Sequence, residues 1–188
     1  IKAGKILHLD GDKLYSEKSA RYYKKVGLNA VVKNIPENKQ HILVKDYINK
    51  YNPDILVLTG HDGMIKLQTG YNDIYNYRNS KYFAQAVIEA RKVCPSSIKL
   101  AVFAGACQSF FEAIMSSGVN FASSPGRILI DFMDPLIVAQ KIATTNKNKF
   151  VNNFFRRSYN YGKCKSCNQR FRPYRSSCFQ TDVRRRRL

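Results

Sequence analysis

A chain of 188 residues, 44% hydrophobic, is long enough to cover a sheet on both faces within one domain. No stretch approaches the ~20 apolar residues of a membrane span, and Ile1 to Asp10 runs into Gly11-Asp12 rather than a signal-peptide cleavage site. Five Cys in a chain of this size argue against a disulfide framework and for a reducing cytoplasm. The chain begins at Ile1 rather than Met, as a fragment would. Thirty-two Lys and Arg against 13 acids give a net charge of +19, which invites a nucleic-acid partner. The excess is unevenly placed: residues 151–188 hold eleven Lys and Arg against one acid, Asp182.

Taken in order, Lys5 to Asp10 reads as a strand, Ser16 to Val26 as a helix and Ala30 to Lys33 as a second strand. A helix over His41 to Tyr51 follows, with Ile42, Leu43, Tyr47 and Ile48 on one side. Ile55 to Thr59 has the unbroken apolar character of a fully buried strand. Ser80 to Val93 is helical, Leu100 to Ala104 is another buried strand, and Ser109 to Ser117 is helical. Asn120 to Ser123 and Arg127 to Ile130 read as further strand or strand-end structure. Asp134 to Thr144 is a helix, with Pro135 in its first turn and Asp134 as its expected N-cap. Strands alternating with helices predict an α/β fold with a mainly parallel sheet in three α/β/α layers. Residues 1–150 form this domain, and residues 151–188 form a separate basic, Cys- and Arg-rich tail.

Ligands of such sheets gather at the carboxyl ends of the strands. Three polar clusters fall there: Gly11-Asp12, Gly60-His61-Asp62-Gly63 and Gly105-Ala106-Cys107-Gln108-Ser109. A thiol becomes a nucleophile when a base or a positive field favours the thiolate. Cys107 is the candidate nucleophile, just ahead of an expected helix whose N-terminus would carry roughly half a positive charge. His61, whose imidazole can take and return a proton, is the candidate base. The N–H groups of Gly63 and Cys107 are the expected oxyanion donors. His8, inside a strand, and His41, on a helix, read as structural, and Cys94 as a packing residue. No cofactor or metal is expected in this domain.

Thr59-Gly60-His61-Asp62-Gly63 after one apolar strand, with Ala106-Cys107 after the next, resembles the caspase, legumain and gingipain clan of cysteine peptidases. Five strings, KILHLDGD (Lys5–Asp12), PDILVLTGHDG (Pro53–Gly63), YRNSKYF (Tyr77–Phe83), AGACQS (Ala104–Ser109) and NFASSPGRILI (Asn120–Ile130), resemble the YabG family of sporulation-specific peptidases from endospore-forming bacteria. The resemblance covers about residues 4 to 145. It implies a caspase-like fold, a Cys-His dyad, and cleavage beside Arg or Lys in spore coat and cortex-associated proteins, in the mother-cell cytoplasm or at the spore coat. It also implies a barrel-like region that precedes the peptidase part in the family and not in this chain. The clan sets His and Gly side by side, whereas Asp62 intervenes here.

A substrate Arg calls for a carboxylate, which binds it with paired charge-assisted hydrogen bonds. Asp12 is the first choice and Asp10 the second, with Asp131 and Asp134 as further candidates. Ser123 and Ser124 are expected to line the cleft through backbone groups. In the tail, Cys164 and Cys167 have metal-ligand spacing and Cys178 adds a third sulfur, but no His follows His61 to complete a zinc site. The tail reads as a disordered, solvated segment or as the product of a lost reading frame near Arg156. The competing functional classes are a basic nucleic-acid-binding protein on a non-catalytic α/β scaffold and a non-catalytic ligand-binding domain. Nucleic acid and membrane are not expected as partners.

Overall fold

The computed structural model describes residues 4–66, 70–123 and 129–145. The basic tail with its three cysteines lies outside them, as does Ser124. Five strands, β1 (Ile6–Asp10), β2 (Ala30–Asn34), β3 (Ile55–Thr59), β4 (Ala101–Ala104) and β5 (Phe121–Ala122), form one parallel sheet in the order β2-β1-β3-β4-β5. Among the described residues five α-helices accompany them: α1 (Lys13–Lys25), α2 (Glu37–Tyr51), α3 (Ser80–Val93), α4 (Phe111–Ser116) and α5 (Met133–Thr144).

Because strand side chains alternate between faces, the apolar runs build two cores. Leu7, Leu9, Leu56, Leu58 and Val102 pack with Val44 and Ile48 of α2, with Phe83 and Val87 of α3, and with Ile114 of α4. Ile6, Ile55, Val57, Phe103 and Phe121 pack with Tyr23 of α1 and with Leu136 and Ala139 of α5. Each fully buried Leu or Phe here contributes about 1.5–3 kcal/mol. The expected three-layer α/β/α architecture with its parallel sheet is what the chain adopts.

Two helices begin earlier than periodicity places them. Asp12 caps α1 by accepting the Tyr15 N–H at 3.0 Å, so the helix starts at Lys13. α2 starts at Glu37, directly after Pro36. At the other end, Asp134 is not the N-cap of α5: it lies in the first turn, and the Asp131 carboxylate takes the Met133 N–H at 2.8 Å. The strand expected over 127–130 finds no support at Leu129 and Ile130, which are irregular. Among the described residues no helix is long and apolar enough to cross a membrane.

The sheet order reverses at β1. The chain leaves β1 for β2 on one side and returns to β3 on the other, which opens a crevice at the carboxyl ends of β1 and β3.

Candidate active site

The strand register sets the site. Leu58 of β3 pairs with Ala104 of β4, and His61 and Cys107 each lie three residues beyond their member of that pair. Asp10 pairs with Thr59 across the switch point, so Asp12 leaves β1 beside the His61 loop. A chain of contacts runs from Cys107 to His61. The Cys107 thiol donates to the Ile130 carbonyl at 3.4 Å. Two residues on, the Phe132 ring lies 5.5 Å from that of Tyr15, and Tyr15 meets the His61 ring edge-on at 5.9 Å.

His61 is exposed, and its Nε2 lies 3.0 Å from Asp12 Oδ2. The imidazole beside Asp12, with the Tyr15 N–H, holds its carboxyl below the ordinary carboxylate range. A carboxylate only accepts, so this contact places the proton on Nε2 and leaves Nδ1 as the basic nitrogen. The backbone is held from a second side: the His61 N–H donates to Glu37 Oε1 at 2.7 Å, and Asn79 Nδ2 donates to the His61 carbonyl at 2.8 Å. Glu37 reaches His61 because Gly11 and Gly60 flank the path. A Cβ on either would fall 2.2 Å from its Oε1.

Cys107 is half-buried in a turn where Gln108 adopts a positive φ of 59°. The helix expected to begin at Ser109 starts at Phe111 and is six residues long. The helix-terminal field is thus displaced from the thiol, since it fades within a turn. Ser109 instead folds back to accept the Ala106 N–H at 2.9 Å. The Cys107 N–H, an expected oxyanion donor, meets no acceptor among the described residues. That of Gly63 is held by Asp62 Oδ1 at 2.8 Å.

The other expected site residues are placed as follows. Asp10 is buried: its Oδ2 accepts from Thr59 Oγ1 at 2.6 Å, and its Oδ1 accepts the Asp12 N–H at 2.7 Å. These commitments fix the backbone of Asp12 rather than offer a carboxylate to a substrate. His8, structural as expected, bridges Thr59 Oγ1 at 2.6 Å and the Tyr23 hydroxyl at 3.2 Å. Ser123 is buried, and its hydroxyl donates to the Ala106 carbonyl at 3.4 Å, bracing the Cys107 turn. Asp131 is exposed and follows Ile130 directly. Glu37, Asp62, Asn79 and Ser80 belong to the site without having been marked for a role.

Burial pushes the Asp10 carboxyl up, but the bonds and charge from His8, with Thr59 and the Asp12 N–H, outweigh it and leave it below its ordinary value. Its contribution to stability is therefore present above the unfolded value near ~3.9. It is lost as pH falls through the lower folded value. Asp10→Asn is expected to melt below wild type at pH 7, with the gap narrowing as pH falls below the unfolded value, as thermal melts across that range would record.

Fold and site together define an α/β protein that carries a thiol and a carboxylate-bound imidazole at adjacent strand ends. The family model for YabG peptidase U57 matches residues 2–154, and the chain belongs to that family. It is 45% identical over 142 residues to the Sporulation-specific protease YabG of Bacillus subtilis (strain 168), a match that covers 76% of this chain and 49% of that protein. The chain therefore spans about half the length of the curated relative it matches. No solved structure matches it.

Proposed function

We propose that this chain is the peptidase part of a sporulation-associated cysteine endopeptidase. In this reading it cleaves spore coat and cortex-associated proteins after Arg or Lys, in the mother-cell cytoplasm, on a caspase-like fold. Membership of a peptidase family supports the activity. The observation that carries the choice of residues is the register, which sets Cys107 and His61 at equal distances past a paired Leu58 and Ala104.

His61 Nδ1 takes the Cys107 proton, and the thiol leaves the Ile130 carbonyl as it ionises, because a thiolate has no proton to donate there. Sγ attacks the scissile carbonyl carbon, and the negative oxygen is held by backbone N–H groups that include that of Cys107. The imidazolium returns its proton to the leaving amine as the C–N bond breaks. Water, deprotonated by His61, then hydrolyses the thioester and restores the thiol.

Digestion of an Arg-rich coat protein by wild type, His61→Ala and Cys107→Ala tests the reading. His61→Ala should lower turnover by about 10²–10⁴-fold, and equal cleavage by wild type and Cys107→Ala would sink it. The role that the geometry of Asp12 supports is orientation of His61, because its two oxygens are engaged by the Tyr15 N–H and the imidazole. Asp12→Ala should then slow cleavage of all substrates alike, by about 10–100-fold. A loss confined to Arg and Lys substrates would return Asp12 to the specificity pocket.

A further inference from the structure

Asp62, the residue that separates His61 from Gly63, makes four hydrogen bonds. Its Oδ1 accepts the N–H groups of Gly63 at 2.8 Å and Asn79 at 2.9 Å. Its Oδ2 accepts the hydroxyls of Ser80 at 2.5 Å and Ser109 at 2.9 Å. Both serines are fully buried, and each hydroxyl already accepts a backbone N–H of the Cys107 turn. Ser80 takes that of Phe110 at 2.8 Å, and Ser109 takes that of Ala106 at 2.9 Å. Ala106 and Phe110 bracket Cys107. One carboxylate therefore ties together the His61 loop, the first turn of α3 and both ends of the turn that carries the thiol.

The chemistry requires a carboxylate. A hydroxyl has one proton; with backbone N–H groups on their oxygens, Ser80 and Ser109 direct their own protons to Asp62 Oδ2. An amide has only one acceptor oxygen: whichever way it turns, its NH2 faces either the two hydroxyl protons or the two backbone N–H groups and strands them. Burial also pushes the Asp62 carboxyl above its ordinary value despite its four bonds. Keeping it ionised is thus costly, and a residue retained only to fill this space would better be neutral.

We infer that Asp62 is a positioning residue: its carboxylate holds the His61 loop and the Cys107 turn in the fixed relation that proton transfer between them requires. The inference rests on the peptidase reading for its consequence, and on the hydrogen-bond chain for its geometry.

The test compares wild type, Asp62→Asn and Ser109→Ala in the full chain. It uses steady-state kinetics on an Arg-containing peptide, the rate of Cys107 alkylation by iodoacetamide at neutral pH, and thermal melts. Asp62→Asn should lower kcat by at least about 10-fold, since misplacing a reacting group by an ångström costs up to about 10²-fold. KM should stay within about twofold. Cys107 alkylation should slow several-fold, and melting should fall by about 5–15 °C, as stranding two buried polar groups requires. Ser109→Ala, which cuts only the arm to Ala106, should show a smaller loss in kcat and in alkylation. A lowered melting temperature with wild-type kcat and wild-type alkylation in both variants would reduce Asp62 to a structural tie and overturn the inference. Should Asp62→Asn fail to fold, wild-type kcat and alkylation in Ser109→Ala overturn it alone. If wild type cleaves nothing, the peptidase reading fails by itself. The alkylation rates still decide Asp62: slower alkylation in the variants supports the clasp, and equal rates refute it.

Discussion

Cys107→Ser is expected to lower cleavage of an Arg-rich coat protein by at least about 10⁴-fold, although it exchanges one atom and leaves the fold unchanged. The loss follows from proton affinity. A thiol gives up its proton far more readily than a hydroxyl does, so in this reading His61 takes it and leaves a strong nucleophile. A serine hydroxyl holds its proton far more tightly, so far less of the anionic nucleophile forms with the same base. Because the half-buried Sγ–H donates to the Ile130 carbonyl, a hydroxyl there satisfies the same acceptor. The melting temperature should stay at the wild-type value while turnover collapses, and kinetics and thermal melts on one preparation check both parts.

The second large effect is structural. Gly105 directly follows β4 with a positive φ of 116°, and a Cβ there would fall 2.5 Å from the Ser123 carbonyl oxygen and 3.0 Å from its hydroxyl. The first contact is backbone against backbone, in the strand-end approach that lets the Cys107 turn pack on the segment after β5. No rotamer relieves it. Gly105→Ala is expected to cost about 2–4 kcal/mol, combining strain at a glycine-only φ with overpacking. It should also cost most of the activity, because relief requires the turn to shift. Denaturant unfolding measures the first effect. Gly118, whose φ is also positive at 103° but whose nearest neighbour is a flexible Arg91 side chain at 3.6 Å, is the control that should lose less.

The central strands were legible because burial on both faces writes an unbroken apolar run: Ile55–Thr59 is read from the sequence with the bounds it has in the fold. Starts of helices were less so. Lys13 to Tyr15 opens α1 through the Asp12 cap, and its outward Leu14 breaks the apolar stripe. Glu37 to Gln40 opens α2 with four polar residues, one of which, Gln40, is buried and donates to the Ile35 and Thr59 carbonyls at 3.2 and 2.9 Å. Such polar burial has no periodic signature.

The same limit explains the site. Asp12, His61 and Cys107 could be singled out because each follows its own strand. Their supports could not: Glu37 sits 24 residues from His61, and Ser109 sits 47 from Asp62. Alone, Glu37 reads as an acid in a helix first turn, and Asp62 as an insertion between His and Gly. Asp10 looked available as a second substrate carboxylate until the register set Thr59 against it.

The most direct test of the dyad is labelling with a peptidyl-arginine chloromethyl ketone, followed by mass mapping of the adduct. The account predicts one equivalent bound through Cys107 Sγ, with loss of cleavage in step with labelling and slow labelling in His61→Ala. Cys94, whose Sγ–H faces the Ser96 carbonyl at 3.8 Å, should stay unmodified. An active preparation inhibited by the reagent with Cys107 unmodified would contradict it.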